Sequence, residues 1–300
     1  MFYSEWMSYI KDDVKMTKLV IPGAHNAGSY GMRNLARCQN DNLLTQFKYG
    51  MRQFCLRLNT DRKGNIVLAH GISSGDLFEN ALKHLKTVLD ENPTEILLLD
   101  IREYYPQKFG PVTIKYKADP KKVDALLEKY LSPEKNAYCD FDHIKDVTIG
   151  DIRKAGKRFI LINDNEDYKY SKNCKVNLPW EKQVNGNHAE AFAHETLRFF
   201  DDYPTDGLYW FQTQQTPNLG TPIGLSKPED LDKEVRMYFK DIITGIENNP
   251  YYLESANIIA GDFMTEDYMK SKLILNLNLL KGNVREDLCK QYRDGLNSVS

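Results

Sequence analysis

Long apolar runs are missing from this 300-residue sequence. Its longest, such as Ile96–Leu99 and Phe159–Ile162, are strand-sized, far short of the ~20 residues a membrane-spanning helix needs. An excess of one charge is missing as well: 40 Lys and Arg stand against 42 Asp and Glu, a net charge of −2. That balance argues against wrapping nucleic acid by bulk electrostatics. Cysteine is sparse, with five residues at wide spacings and no CxxC. A disulfide framework and a structural zinc site are therefore disfavoured, and reduced, mostly buried thiols are expected. The N-terminus MFYSEWMSYIKDD lacks a basic start followed by an apolar stretch, so it does not read as a secretory signal. The expected location is the cytoplasm or a membrane surface, with secretion left open if a signal was removed. GxSxG, Walker and GxGxxG motifs are also absent, which leaves serine hydrolase, nucleotide triphosphatase and dinucleotide-binding readings without support.

What is present is an ordinary globular composition, 41% hydrophobic and 27% charged, without repeats or low-complexity linkers. Short apolar runs recur, each ending in polar or ionisable residues. Leu19–Ile21 leads into Pro-Gly-Ala-His-Asn. Phe54–Leu58 carries Arg57 and ends at Asn59. Ile66–Ala69 ends at His70, Ile96–Leu99 at Asp100, Arg102 and Glu103, and Phe159–Ile162 at Asn163. Leu208–Phe211 ends at Gln212 and Asn257–Ala260 at Gly261 and Asp262; Val176–Leu178 is the weakest of the set. Helical periodicity lies between them, over Leu43–Met51, Asp76–Leu89, Pro120–Tyr130, Ala189–Phe200 and Leu231–Ile246. Asp76 and Ser226 are placed to cap two of these helices. Continuous apolar strands alternating with helices predict a parallel sheet buried on both faces. Seven or eight such units predict an α/β fold closed or nearly closed into a (β/α)8-like barrel, with residues 1–300 as a single domain. In such barrels the active site sits at the C-terminal strand ends, where the ionisable residues fall. The tail Lys272–Leu280 is expected to close the barrel or cover its bottom.

His25 and His70 share a context: a strand end followed by small residues, with Arg57 on the strand between them. Two imidazoles and a guanidinium suit in-line displacement at a phosphodiester. One imidazole takes a proton from the nucleophile, the other gives one to the leaving oxygen, and the guanidinium holds the nonbridging oxygens. No metal or other cofactor is required. The sequence neighbours Asn26, Cys55 and Asn59 are poor ligands for a hard cation. His84, His143, His188 and His194 lack the matching context, and most of them are read as surface residues.

IPGAHNAGSYG, followed by RCQN, YGMRQFCLRLN and LAHG, resembles the catalytic X region of phosphatidylinositol-specific phospholipases C. Within that family the AHNAG variant, RCQN and the LR-x-N strand look most like the glycosylphosphatidylinositol-specific type of trypanosomes. The resemblance is clear over residues 6–105 and weaker but collinear to about residue 265, through YWFQTQQTP and IIAGDF. It implies a distorted TIM barrel that cleaves the lipid phosphodiester to diacylglycerol and a cyclic inositol phosphate. His25 would be the general base, His70 the general acid, Arg57 the phosphate clamp and Asp262 the carboxylate behind His25. The implied partner is a phosphatidylinositol lipid met at a membrane surface by peripheral contact. Two departures stand out: bacterial members carry Asp where this chain has Asn26 and Cys55. Arg102, Glu103 and Gln212 are expected to reach the inositol, and Trp180 or Tyr209 to stack on it. Tyr104, Tyr105, Tyr251 and Tyr252 could form a lipid-facing rim. The rival readings are a catalytically silent inositol- or lipid-binding module, and a barrel phosphodiesterase for another headgroup working through a magnesium cluster.

Overall fold

The computed structural model describes residues 1–71, 73–103, 107–109, 112–177, 189–201, 207–215 and 227–298. Among the described residues twelve strands are formed: β1 (Ile21–Ala24), β2 (Gln53–Thr60), β3 (Ile66–His70), β4 (Ser73–Leu77), β5 (Leu97–Glu103), β6 (Gln107–Phe109), β7 (Val112–Lys115), β8 (Phe159–Ile162), β9 (Ser171–Lys172), β10 (Lys175–Asn177), β11 (Leu208–Gln212) and β12 (Ile258–Gly261). The main sheet runs β10-β11-β12-β1-β2-β5-β8-β9, and every pairing along that path is parallel. Its two outer members, β9 and β10, are separated in the chain only by Asn173 and Cys174. A link that short cannot let them pair in parallel with each other. The curled sheet is thus completed through the chain itself, one segment serving β8 with its first half and β11 with its second. The architecture is the expected α/β barrel type.

Strand parity explains the two cores. Alternate residues point to opposite faces. Phe54, Leu56, Leu58, Leu97, Leu99, Phe159, Leu161, Tyr209, Phe211 and Ile259 face the helix layer and join one apolar cluster. Ile21, Cys55, Leu98, Ile160, Ile162, Leu208, Trp210, Ile258 and Ala260 belong to the second, inside the curl. Gly23 sits at the tightest point of that interior. A Cβ there would come 2.5 Å from Gln53 Oε1 and 2.9 Å from Ala260 Cβ, so no larger residue fits. The helix Phe78–Glu91 buries Phe78, Ala81, Leu82, Leu85, Val88 and Leu89 along one stripe. Leu85→Ala would cost about 2–5 kcal/mol.

The N-terminal strand ends are plugged by residues from the first turns of the chain. Trp6 Nε1 donates to the Gly50 carbonyl at 2.9 Å. Fully buried Arg52 pairs with Glu95, donating through Nε at 2.8 Å and Nη2 at 2.6 Å. The helix Met269–Leu280 covers the same end, its Asn278 Oδ1 accepting from Val20 N at 3.0 Å. This is the covering role expected of the tail.

Three expectations are corrected. The run ending at His70 is not a parallel stave: β3 is antiparallel to β2 and forms a hairpin with β4. Its apolar run resembles a buried stave only because the hairpin lies over the helix-side core. Asp76 does not cap its helix; the cap position is Leu77, and Asp76 Oδ1 accepts from Leu77 N and Asn80 Nδ2. Tyr251 and Tyr252 lie in the helix Pro250–Ser255, just before β12 begins. That places them at the plugged end, opposite the C-terminal strand ends, with Tyr252 OH donating to Asp201 at 2.6 Å. Tyr104, Tyr105, Trp180, His188 and Ser226 lie outside the described residues.

Candidate active site

The parallel ladder creates the central dyad. β1 and β12 run in register with Ala24 opposite Gly261, so the next residues on each chain, His25 and Asp262, emerge side by side. His25 Nδ1 lies 2.7 Å from Asp262 Oδ1. On the other side of the ring, Nε2 lies 3.4 Å from Arg57 Nη2. A guanidinium offers only N–H donors, so Nε2 must be the acceptor and the proton must sit on Nδ1, directed at the carboxylate. Burial, followed by the charges of Arg57 and Arg102, holds the His25 pKa well below its usual value. The resting ring is therefore neutral, with its Nε2 lone pair accepting from Arg57.

His70 reaches the same mouth from β3. Its Nδ1 donates to the Ala36 carbonyl at 2.8 Å and lies 3.8 Å from Cys38 Sγ. Burial pushes its pKa down to about 4; the Ala36 carbonyl opposes the shift and the Arg57 charge adds to it. Asn26 occupies a left-handed turn, φ 43°, which Asn tolerates. Its Nδ2 donates to Cys38 Sγ at 3.5 Å. The amide thus acts on the thiol, and a backbone carbonyl orients the second histidine.

The floor is a charged layer. β2 and β5 align Cys55 with Asp100 and Arg57 with Arg102. Asp100 is fully buried and accepts from Arg102 Nη2 at 3.0 Å and from Lys175 Nζ at 2.8 Å. Burial favours its neutral form, but the two cations outweigh this and hold its pKa below the usual value. Arg102 lies 4.5 Å over the Trp210 ring, and Lys175 lies 5.4 Å from it. Arg102 keeps 23% side-chain exposure despite its ion pair. Gln212, on the same face as Trp210, accepts from Gln214 Nε2 at 2.7 Å. A groove of about 810 Å³ next to His70 is lined by Met32, Leu35, Ala36 and Ser74 among others.

His25, Arg57, His70, Asp262, Asn26, Arg102 and Gln212 are thus brought to one end of the curl. Cys55 shares their face but lies fully buried below Arg57. The Glu103 side chain and Trp180 lie outside the described residues. Tyr209 is a correction: it is fully buried, faces the helix layer, and donates its hydroxyl to the Phe199 carbonyl at 3.2 Å. Strand parity gives the inward position to Trp210, a residue the sequence reading passed over although it shares a face with Gln212. Three further residues went unassigned. Gln39 donates to the carbonyls of His25 at 2.8 Å and Gly261 at 2.9 Å, and accepts from Met264 N at 3.1 Å, tying the loops that carry the dyad. Lys175 carries no motif. Cys38 stood inside RCQN without a role. Among the described residues, His25, Cys38 and Asp262 bring one potential ligand atom each within 4.8 Å of one another.

No protein-family model matches the chain. Two curated relatives, the 1-phosphatidylinositol phosphodiesterases of Staphylococcus aureus strains Newman and NCTC 8325 / PS 47, are 28% identical to it over 110 residues. The match covers 33% of this chain and 34% and 32% of theirs, so the chain spans about a third of the length of the curated relatives it matches. Among solved structures, phosphatidylinositol-specific phospholipase C from Listeria monocytogenes superimposes with a TM-score of 0.68 at 17% identity, over 92% of this chain and 98% of that one. A pentafluoro-Phe form of the Staphylococcus aureus enzyme gives 0.59 at 16% identity, over 87% and 91%. The barrel fold is shared with these structures.

Proposed function

We propose that the protein is a phosphodiesterase that cleaves phosphatidylinositol, or a glycosylated form of it, to diacylglycerol and a cyclic inositol phosphate. The observation that carries this reading is the convergence of the His25–Asp262 dyad, Arg57 and His70 on one mouth. His25 Nε2 takes the proton of the inositol 2-hydroxyl, and that oxygen attacks phosphorus. Arg57 shifts from Nε2 to the nonbridging oxygens as their charge grows. His70 gives its proton to the departing glycerol oxygen. Its low pKa leaves it neutral at rest, so the phosphodiester anion must raise it on binding. Asp262 stabilises the imidazolium formed on His25. Arg102 and Gln212, at the same end of the curl, are the groups proposed to meet ring hydroxyls.

AHNAG, RCQN, and the uncharged Asn26 and Cys55 support the glycosylphosphatidylinositol-specific type, as in trypanosomes, over the bacterial type. The substrate implies peripheral contact with a membrane, and a place in the cytoplasm or at a membrane surface. Among the described residues no helix is long and apolar enough to cross a membrane. A magnesium-dependent barrel phosphodiesterase is disfavoured by the donor set found among the described residues, one carboxylate with a thiol and an imidazole, which does not suit a hard cation.

The test is incubation with phosphatidylinositol vesicles in excess chelator, followed by phosphorus NMR. Cyclic inositol phosphate is expected. Inositol binding without turnover would instead establish a silent binding module, and turnover restored only by magnesium would move the substrate to another headgroup.

A further inference from the structure

We propose that Lys270 is a positioning residue: backed by Asp232, it grips the turn that carries Asp262 and so keeps the carboxylate on His25. The catalytic consequence rests on the activity proposed above; the grip on the turn does not.

β12 ends at Gly261, so the sheet fixes the chain only up to the residue before Asp262. The residue after it, Phe263, is left-handed, with φ 47°. A bulky side chain enters that region only where its surroundings force it. Four hydrogen bonds supply the force. On one side of Phe263, the Asp262 carbonyl accepts from Lys270 Nζ at 2.7 Å, and Phe263 N donates to the Cys38 carbonyl at 2.8 Å. On the other, the Phe263 carbonyl accepts from Arg236 Nη2 at 3.4 Å, and Met264 N donates to Gln39 Oε1 at 3.1 Å. Each peptide is a rigid plane, so holding both planes at both edges sets the turn, and with it the direction in which Asp262 leaves the strand.

The cations are aimed from behind. Lys270 and Asp232 are nearly dry, at 2% and 5% exposure. Lys270 Nζ donates to Asp232 Oδ1 as well as to the turn, and Asp232 Oδ2 accepts from Arg236 Nη2 at 2.8 Å. Arg236 Nη1 donates to Asp267 Oδ2 at 2.8 Å, and Asp267 Oδ1 accepts from Met269 N at 2.8 Å. Asp232 thus places one cation at each of the two carbonyls. Burying such charges is costly, and apolar residues of similar volume would join the helices Pro228–Asn248 and Met269–Leu280 at least as well. What apolar residues lack is a donor for the strained turn. Lys270 also acts through space: burial, then the Asp232 charge, push the Asp262 carboxyl up, and Lys270 opposes them. Without Lys270 the Asp262 carbonyl loses its donor, the peptide is free to rotate, and the carboxylate drifts from His25 Nδ1. A drift of about 1 Å at a reacting centre costs up to about a hundredfold in rate.

The test compares Lys270→Met with the double variant Lys270→Met/Asp232→Asn, which leaves no buried carboxylate stranded. The readouts are steady-state kinetics on phosphatidylinositol vesicles, Tm, and proton NMR of the downfield His25 Nδ1–H. In both variants kcat should fall by about 10–100-fold while KM stays within about threefold, and the Nδ1–H resonance should vanish or move upfield. Tm should fall in the single variant and recover in the double one. Recovery of kcat together with Tm in the double variant, or an unchanged resonance in folded Lys270→Met, would reduce Lys270 and Asp232 to a stabilising ion pair and overturn the role. In the unsubstituted protein the Lys270 ammonium should give a slowly exchanging cross-peak in nitrogen-edited NMR; its absence would overturn the grip whether or not the variants fold. Loss of the Nδ1–H resonance in Lys270→Met, with no turnover even in the unsubstituted protein, would sink the proposed activity and leave the hold on Asp262 standing.

Discussion

Asp262→Asn separates the charge of the carboxylate from its geometry. Asn can keep Oδ1 toward the His25 Nδ1–H and turn its amide toward Cys38, so the ring stays in place. What is lost, under the proposed mechanism, is the attraction between a carboxylate and the imidazolium formed when His25 takes the nucleophile's proton. The 2.7 Å contact puts the two charge centres about 4 Å apart. At an effective dielectric of about 20, that interaction is about 4 kcal/mol, or roughly a thousandfold in rate. The assay is release of cyclic inositol phosphate under saturating vesicles, with Tm measured on the same samples. The downfield Nδ1–H resonance should remain, shifted upfield, because the bond persists without the charge. A loss below tenfold in kcat, with the fold intact, would show that His25 carries little positive charge in the transition state and would remove it as the base.

Other perturbations test neighbouring parts. His25→Ala and His70→Ala should each lower kcat by at least ~10²-fold; tenfold or less for both would take them out of the mechanism. His70 should also make the fold acid-sensitive. Between about pH 6.5 and its folded pKa of about 4, the unfolded chain binds more protons, so stability falls as pH drops through that window, by up to about 3 kcal/mol. His70→Gln should flatten the urea-midpoint profile there, and an unchanged slope would place the acid sensitivity elsewhere. Gln39→Ala removes its bonds to the His25 carbonyl and the Met264 N–H, while the Gly261 carbonyl keeps the His25 N–H at 3.1 Å. It should cost about 1–3 kcal/mol in urea unfolding and lower kcat more than it changes KM. Arg52→Met strands fully buried Glu95 and should cost about 3–5 kcal/mol, while adding Glu95→Gln should recover a large part of it; no recovery would mean that the cost came from lost packing.

Much of this site was legible because strand-end chemistry follows from local sequence. His25, Arg57 and Asp262 terminate or ride apolar runs whose period fixes their face. The Tyr209 error shows the limit of reading composition without parity: counting back from Gln212 selects Trp210, while an aromatic run taken whole does not. The flanking glycine marks His70, but nothing local marks its strand direction, since an antiparallel hairpin and a parallel stave present the same short apolar run. Cys38, Gln39 and Lys175 depend on loop paths. Cys38 meets Asp262 only after the chain has gone around the entire curl, and no spacing along the sequence encodes that meeting.

A hoop held by an unbroken hydrogen-bond circuit has its girth set by whole-number stagger. Here the circuit lapses at Asn173–Cys174, so that arithmetic does not bind the diameter. The task falls to Lys175, gripping Asp100 from across the gap at 2.8 Å and Asp164 at 3.1 Å. An ionic latch, unlike a backbone ladder, can be retuned by a single codon.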